Sequence, residues 1–437
     1  MRLKELSEGA YVFLLVDQHE NGLWGKSISI NDEKPYASEA ENRYLEKTKT
    51  VQSITLGYQA SEAIIKYTLN RENSAVKKCL TCIKQHEDKK GGFGAYGEII
   101  SAYHGTKTCI LSNSRHTATA LLTFMVSMEK SEFERIAKAM SNSIEFIIDS
   151  KESDGGWGLP KEESDSASTL YVMQLLTSIK DLDVSKILSK EYSEKLDQAI
   201  ISGMKWLKTR NQENGGNWFS IDIDGISSYI DTAEVLTFFS NIKKYDTTLY
   251  DENLDRLSKL QNILDGGWPH FPNAKNKSDL RATIWIANAL SRSNHEKYKT
   301  CISKGFEFIL QNIPDPAYST TLSSGDWALL LDLCTYQGIH VSTHREYELS
   351  ILAEEIRSKV FEKGNLRYLE KDLPTEFVYL RSPIRKALKN SNPEIANKNI
   401  IEIWLDNTPR WVKWLIASTI TIASLILAIK AALNLHF

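Results

Sequence analysis

Asp154-Gly155-Gly156-Trp157-Gly158, followed shortly by Ser166-Ala167-Ser168-Thr169-Leu170, joins two apolar helical stretches through a glycine-glycine-aromatic corner. The corner recurs as Asn21-Gly22-Leu23-Trp24-Gly25, Gly91-Gly92-Phe93-Gly94, Asn214-Gly215-Gly216-Asn217-Trp218 and Asp265-Gly266-Gly267-Trp268. A polar cluster and a helix rich in small residues come next, as in Thr117-Ala118-Thr119-Ala120-Leu121-Leu122, Asp231-Thr232-Ala233-Glu234-Val235-Leu236 and Arg281-Ala282-Thr283-Ile284-Trp285. Roughly 50–70 residues per unit, one helical hairpin each, stacked on its neighbours, is a repeat architecture. Such a corner must stop one helix and feed the next, which calls for left-handed backbone or close approach. Gly156 and Gly267 are the glycines expected to supply the left-handed conformation.

Helical apolar spacing predicts outer helices near 5–19, 74–86, 132–149, 194–209, 252–262 and 297–311. Inner helices follow near 53–69, 115–128, 165–179, 230–243, 279–291 and 325–337, and a seventh pair, 346–360 and 375–389, surrounds Gly364-Asn365. With 10 prolines and almost no alternating β-branched runs, the chain reads as all-α. The excursions 25–52 and 95–113 are too long for corners and are candidate lids or surfaces for a protein partner.

Composition narrows the function classes. The 437 residues are 42% hydrophobic and 25% charged, which suits a folded chain. A net charge of −3 gives no footprint for nucleic acid. Five cysteines make no disulfide framework, and the Cys79/Cys82 pair lies inside an apolar helix, where small core residues are the expectation.

The C-terminus differs from the rest. Trp411 to Leu435 is almost wholly apolar, broken only by Lys413 and Lys430 near its ends. At about 1.5 Å per residue it covers the roughly 30 Å hydrocarbon core, with Trp411 and Trp414 at the interface. Arg381, Arg385, Lys386, Lys389, Lys398, Arg410 and Lys413 precede it, so the positive-inside bias keeps the body in the cytoplasm. The expected organisation is a repeat body at 1–390, a linker at 391–409 and a single-pass membrane anchor at 410–435.

An outer helix ending in Gln or Lys, then Asp-Gly-Gly-Trp or Gly-Gly-Phe, then an inner helix opening Asp-Thr-Ala, resembles the terpenoid cyclase and protein prenyltransferase superfamily. The likeness covers residues 1 to about 340. It implies an (α/α)6 toroid of six to seven hairpins with corners like the QW corners of squalene-hopene cyclases. All inner helix N-termini then share one rim, each carrying roughly half a positive charge. Such a mouth suits an anionic head, with an isoprenoid or other lipid tail among aromatics supplied by 10 Trp, 18 Tyr and 14 Phe.

The superfamily's chemistry is not matched. The resemblance implies an Asp-x-Asp-Asp-Thr-Ala acid motif, but Ser228-Tyr229-Ile230-Asp231-Thr232-Ala233 has Ile230 at the acid position, and Glu162-Glu163-Ser164-Asp165-Ser166-Ala167 has Ser164 there. Asn113-Ser114-Arg115-His116-Thr117-Ala118 is basic instead. The zinc branch fares no better: Arg281 replaces the cysteine in Lys277-Ser278-Asp279-Leu280-Arg281, and Asp332 and Cys334 with His340 or His344 fall at the wrong end of an inner helix. No metal or other cofactor is therefore expected.

If the chain is catalytic, Asp231 or Asp165 is the candidate general acid, with Arg115, His116, Glu162, Asp279 and Arg281 as substrate-binding candidates. Asp165, Asp231 and Asp279 are equally well placed as helix N-caps. Two readings follow: a membrane-tethered cyclase-like or prenyltransferase-like protein binding an isoprenoid or other lipid, or a non-catalytic toroid acting as a cytoplasmic sensor or scaffold. A charge-free aromatic cavity favours the first and a cavity plugged by side chains the second.

Overall fold

The computed structural model describes residues 1–20, 22–26, 48–85, 91–94, 96–101, 105–107, 112–158, 164–182, 186–218, 228–272, 274, 277–293 and 296–391. Its helices are α1 (Leu3–Asp17), α2 (Ile54–Thr68), α3 (Ser74–Lys84), α4 (Ser114–Ser127), α5 (Lys130–Ala139), α6 (Ser141–Asp149), α7 (Ser166–Lys180), α8 (Lys190–Glu213) and α9 (Tyr229–Phe239). After them come α10 (Thr247–Lys259), α11 (Leu280–Ser293), α12 (Lys299–Asn312), α13 (Pro316–Ser319), α14 (Ser324–Thr335), α15 (Thr343–Ile356), α16 (Arg367–Lys371) and α17 (Arg381–Ser391).

Among the described residues, α2, α4, α7, α9, α11 and α14 pack side by side in that order, and α14 returns to α2, so the inner layer is a closed ring of six. The ring is sealed where the Val341 N–H donates to the Tyr67 carbonyl at 3.1 Å. The seventh predicted pair adds no inner helix. Instead α15 lies against α1 on the outside, continues through a π-helical turn at Arg357–Glu362, and leads to α17, which also packs on α1.

Two hydrogen bonds recur at the corners. The buried indoles of Trp24, Trp157, Trp218 and Trp268 donate to the carbonyls of Leu14, Ile147, Leu207 and Leu257, each at 2.8 Å, tying the corner to the outer helix just passed. The backbone N–H of Phe93, Trp157, Trp218 and Trp268 is taken up at 2.9–3.0 Å by the hydroxyls of Thr117, Thr169, Thr232 and Thr283 on the following inner helix. The recurrent inner threonine therefore has a structural task. It ties the inner helix to the corner by filling an otherwise unpaired buried donor. Gln18 and Gln261 reach further: each amide donates to its own corner (Gly22 and Gly266 carbonyls) and to the next outer helix (Ala75 and Cys301 carbonyls) at 2.7–2.8 Å.

The glycine expectation needs correction. The left-handed residues are the first of each pair, Gly155 (φ +98°) and Gly266 (φ +78°), rather than Gly156 and Gly267. Gly156 and Gly267 are needed for close approach: a Cβ would stand 2.7 Å from the Ser164 Cβ and 2.6 Å from the Ser278 Cβ. Glycines inside the outer helices also serve the joint. Cβ atoms at Gly203 and Gly305 would lie 2.9 and 2.7 Å from the rings of Trp157 and Trp268, so each indole wedges between its own outer helix and the next.

The excursions after the first two corners are not purely irregular. Strands β1 (Trp24–Lys26), β2 (Thr48–Ser53), β4 (Tyr96–Ser101) and β5 (Gly105–Lys107) pair antiparallel in the order β1-β2-β4-β5, with Gly25 opposite Gln52 and Val51 opposite Gly97. This sheet joins the two excursions, which the all-α reading did not foresee. Short pairs β3–β6 (Phe93–Gly94 with Ser112–Asn113) and β7–β8 (Trp268–Pro269 with Ser278–Asp279) close their corners. The linker and apolar segment, 392–437, lie outside the described residues, and among the described residues no helix is long and apolar enough to cross a membrane.

Thr232→Val and Thr283→Val keep the side-chain shape and leave a buried N–H unpaired, so each should destabilise by about 1–3 kcal/mol. Gly215→Ala, where a Cβ meets nothing within 4 Å, should cost only the roughly 1–2 kcal/mol of left-handed backbone. Gly267→Ala must also push Ser278 aside and should cost more. Urea denaturation of the four variants measures this order, and equal midpoints for all of them and the parent refute the corner account.

Candidate functional site

The rim holding the corners also carries the N-termini of the inner helices. Asn113 caps α4 through the His116 N–H at 2.9 Å, Asp165 caps α7 through Ser168 at 2.7 Å, and Asp279 receives the Ala282 N–H of α11 at 2.8 Å. Capping therefore accounts for Asp165 and Asp279. In α9 the cap is Ser228, with Asp231 in the first turn, half-buried, so the capping expectation fails there. Glu162 lies outside the described residues.

Below this rim the axis holds an upper ionic tier. The Tyr171 hydroxyl donates to Glu234 Oε1 at 3.1 Å and accepts from Gln59 Nε2 at 2.8 Å. Arg115 Nη2 lies 3.6 Å from the same Glu234 oxygen, its guanidinium 5.5 Å over the Tyr171 ring. One turn of polar contacts thus links α2, α4, α7 and α9 across the mouth. On the other side, Arg281 Nε is 3.0 Å from Asp326 Oδ2, and Trp285 Nε1 donates to Asp326 Oδ1 at 2.8 Å. Asp326 Oδ2 also accepts the N–H and hydroxyl of Ser323, each at 2.7 Å, so both oxygens of this fully buried carboxylate are engaged.

An aromatic tier lies beneath. The ring centroids of Tyr58, Tyr171 and Phe238 are 6.2, 6.1 and 5.0 Å apart, and all three side chains are fully buried. Tyr58 belongs to α2 and Phe238 to α9, on opposite sides of the six-membered ring, so their contact spans the axis. Gln174 Nε2 donates to the Tyr58 hydroxyl at 2.7 Å, and burial holds that phenol well above its ordinary pKa.

A lower ionic tier completes the filling. Arg292 Nη2 donates to Asp332 Oδ2 at 2.7 Å and lies 3.5 Å from Glu62 Oε2, while Lys66 Nζ is 2.9 Å from both Asp332 Oδ1 and Glu62 Oε1. Asn288 Nδ2 adds a donor to Asp332 at 2.9 Å. Burial alone would raise the Asp332 carboxyl, but Arg292 and Lys66 hold it far below the carboxylate range. Two acids and two bases cancel here, as Glu234 and Asp326 cancel Arg115 and Arg281 above.

These contacts place the sequence candidates. Arg115 and Arg281 face the axis already paired, with Glu234 and Asp326. His116 Nδ1 is 2.7 Å from Asn113 Nδ2, and burial with Arg115 beside it pushes the imidazole pKa down to about 3, so it is neutral near pH 7. At Asp279, burial raises the carboxyl, but bonding to His270 and the Ala282 N–H, with Arg281 nearby, brings it below its ordinary value. Asp332 serves the lower tier, Cys334 is buried, and among the described residues no group of three or more His, Cys, Asp or Glu side chains converges on a metal position.

No protein-family model and no curated protein matches the sequence. Solved structures do match in fold. The apo type II terpene cyclase MstE from Scytonema superposes with a TM-score of 0.51 at 11% identity, over 78% of this chain and 100% of that one. A sugar epimerase from a ruminal bacterium superposes with a TM-score of 0.52 at 13% identity, over 78% and 100%. The ent-copalyl diphosphate synthase from Streptomyces platensis gives 0.44 at 12% identity over 65% of this chain, which spans only 50% of that enzyme. The chain thus has a terpenoid-cyclase-like helical toroid fold, one shared by proteins named for unrelated chemistries, so the likeness speaks for the fold alone.

The neutral His116 gives a pH test. In the unfolded chain it titrates near 6.5, so between that pH and about 3 the unfolded state binds more protons. Its contribution is present above pH 6.5 and is lost as pH falls, by up to about 2 kcal/mol between pH 7 and pH 5. His116→Gln should flatten that part of the stability profile; an unchanged slope overturns the assignment.

Proposed function

We propose that this chain is a membrane-tethered, non-catalytic toroid that serves as a sensor or scaffold. The observation that carries the reading is the meeting of Tyr58, Tyr171 and Phe238 across the axis, between two tiers of paired charges. An isoprenoid tail entering here would have to part three buried rings and strip Arg292 and Lys66 from Asp332 and Glu62, leaving buried charges uncompensated at about 3–5 kcal/mol for each broken pair.

The chemistry argues the same way. Acid-initiated cyclisation needs a protonated carboxyl aimed at an alkene, in surroundings that do not capture a carbocation. The Asp165 carboxylate caps a helix, Ile230 fills the motif's acid position, and Glu234, Glu62 and Asp332 are nucleophilic oxygens on the axis itself. The upper tier, with half-buried Arg115 and Arg281, is left as a recognition surface at the mouth, while the apolar 411–435 segment supplies the tether.

Incubation with prenyl diphosphates and neutral polyprenes, followed by gas chromatography and mass spectrometry, should show no cyclised or transferred product. Turnover abolished by Asp231→Asn or Asp165→Asn overturns the proposal in favour of a cyclase. A stoichiometric isoprenoid retained in native mass spectrometry of the detergent-extracted protein favours the lipid-binding reading. The full chain should float with vesicles at high salt, whereas a chain ending at Pro409 should stay soluble with unchanged helicity; pelleting of the shortened chain with membranes locates the attachment elsewhere.

A further inference from the structure

The tether leaves the toroid at a defined place. Tyr379, just before α17, donates through its hydroxyl to the Glu5 carbonyl near the start of α1. Seven residues later Lys386 donates to the Thr320 carbonyl and faces the Asp17 carboxylate at the end of α1. Ser324, at the N-terminus of α14, donates to that same Asp17. Helix α17 therefore runs parallel to α1, from the end of the ring opposite the corners toward the corners. At about 1.5 Å per residue, the helix from Lys386 to Ser391 carries the chain some 7 Å past Thr320, on the mouth side and beside the sixth corner, the 313–323 connection between α12 and α14.

The same sector exposes apolar side chains. Ile263 and Leu264, at the tip of the fifth corner, are 88% and 91% exposed, and Tyr318, at the sixth, is 41% exposed. Adjacent apolar residues this bare at a tight turn add nothing to the core, although the rest of that corner is firmly held by Gln261, Asp265 and Ser278. Helix α17 is also acid-free in sequence; its Arg381 and Arg385 pair with Glu370, and Lys386 donates to the Thr320 carbonyl. The opposite end of the ring also exposes Leu69 and Tyr336, 73% and 42% exposed, but they stand singly at the ends of α2 and α14, away from the described end of α17.

We infer that the fifth and sixth corners form a bilayer-facing edge, on which Ile263 and Leu264 enter the headgroup region while α17 delivers the chain to its membrane segment. The occupant is the lipid bilayer. The inference rests on the tethering reading above and adds an orientation: the mouth rim faces the membrane with one sector down. Fully extended, residues 392–410 could reach about 60 Å, so the linker alone would allow any orientation. The exposed corner residues select this one.

The test uses the full chain bound to vesicles of phosphatidylcholine and phosphatidylserine, with an environment-sensitive fluorescent residue at position 264 in one variant and at position 69 in another. Both sites are exposed, so both variants should fold. The probe at 264 should shift to the blue and be quenched several-fold by nitroxide-labelled lipids, and the probe at 69 should do neither. A chain that floats with the vesicles while its 264 probe stays water-like, or while the 69 probe is the one quenched, overturns the orientation and leaves tethering intact. A chain that does not float overturns tethering and the orientation with it.

Discussion

One contact sets the geometry of this ring: the indole N–H of a corner tryptophan donated to a carbonyl in the last turn of the helix before it. The receiving carbonyl has a local donor as well, as at Leu14 from the Gln18 N–H and at Leu257 from the Leu260 N–H, so the indole adds a second, long-reaching bond at a buried joint. The tryptophan makes that bond while placing a large apolar surface against the glycine of the next outer helix, Gly203 or Gly305. The same residue's backbone is held by the threonine of the inner helix. A single position thereby fixes the outer helix, its inner partner and the neighbouring hairpin, and repetition of that position closes the ring.

What the ring encloses is then dictated by the residues one or two turns inside each inner helix. In this chain they are ionic and aromatic, and they find partners among themselves. Among the described residues, pairing across the axis balances these acids and bases against one another. The helix dipoles at the rim are largely spent on Asn113, Asp165, Asp279 and Ser323 caps. The described interior of this toroid is therefore a core of paired charges and stacked rings.

Much of this was legible in the sequence. The corner motif gave the hairpins, their order and the inner helix starts to within a few residues, because glycine, tryptophan and threonine each answer a local backbone requirement. The break in the third outer helix at Met140 and the role of the first glycine were missed, since both depend on dihedral angles that residue type only biases. The sheet joining the first two excursions was missed because Thr48–Ser53 and Tyr96–Ser101 pair across more than forty residues and alternate only weakly. At the mouth, Arg115 and Arg281 were found from their place at helix openings. Their partners Glu234 and Asp326, and the lower tier of Glu62, Lys66, Arg292 and Asp332, were not. Helical spacing from Arg281 to Trp285, or from Asp231 to Glu234, could have pointed to the same face, but which helices meet across a ring is a tertiary fact.

The seam between α14 and α2 has a temporal consequence. Asp332 meets Lys66 across 266 residues, and Arg292 supplies the second base that the tier's two acids need. A growing chain cannot make this contact until nearly the whole body has been synthesised. Until then Lys66 has Glu62 for company, four residues back on its own helix, at 2.9 Å. That i,i+4 pair lies within one helix and needs no distant partner to form. Closure then converts an open stack, whose end repeats could fray independently, into a body with no ends, so that loss of any one hairpin is felt by all.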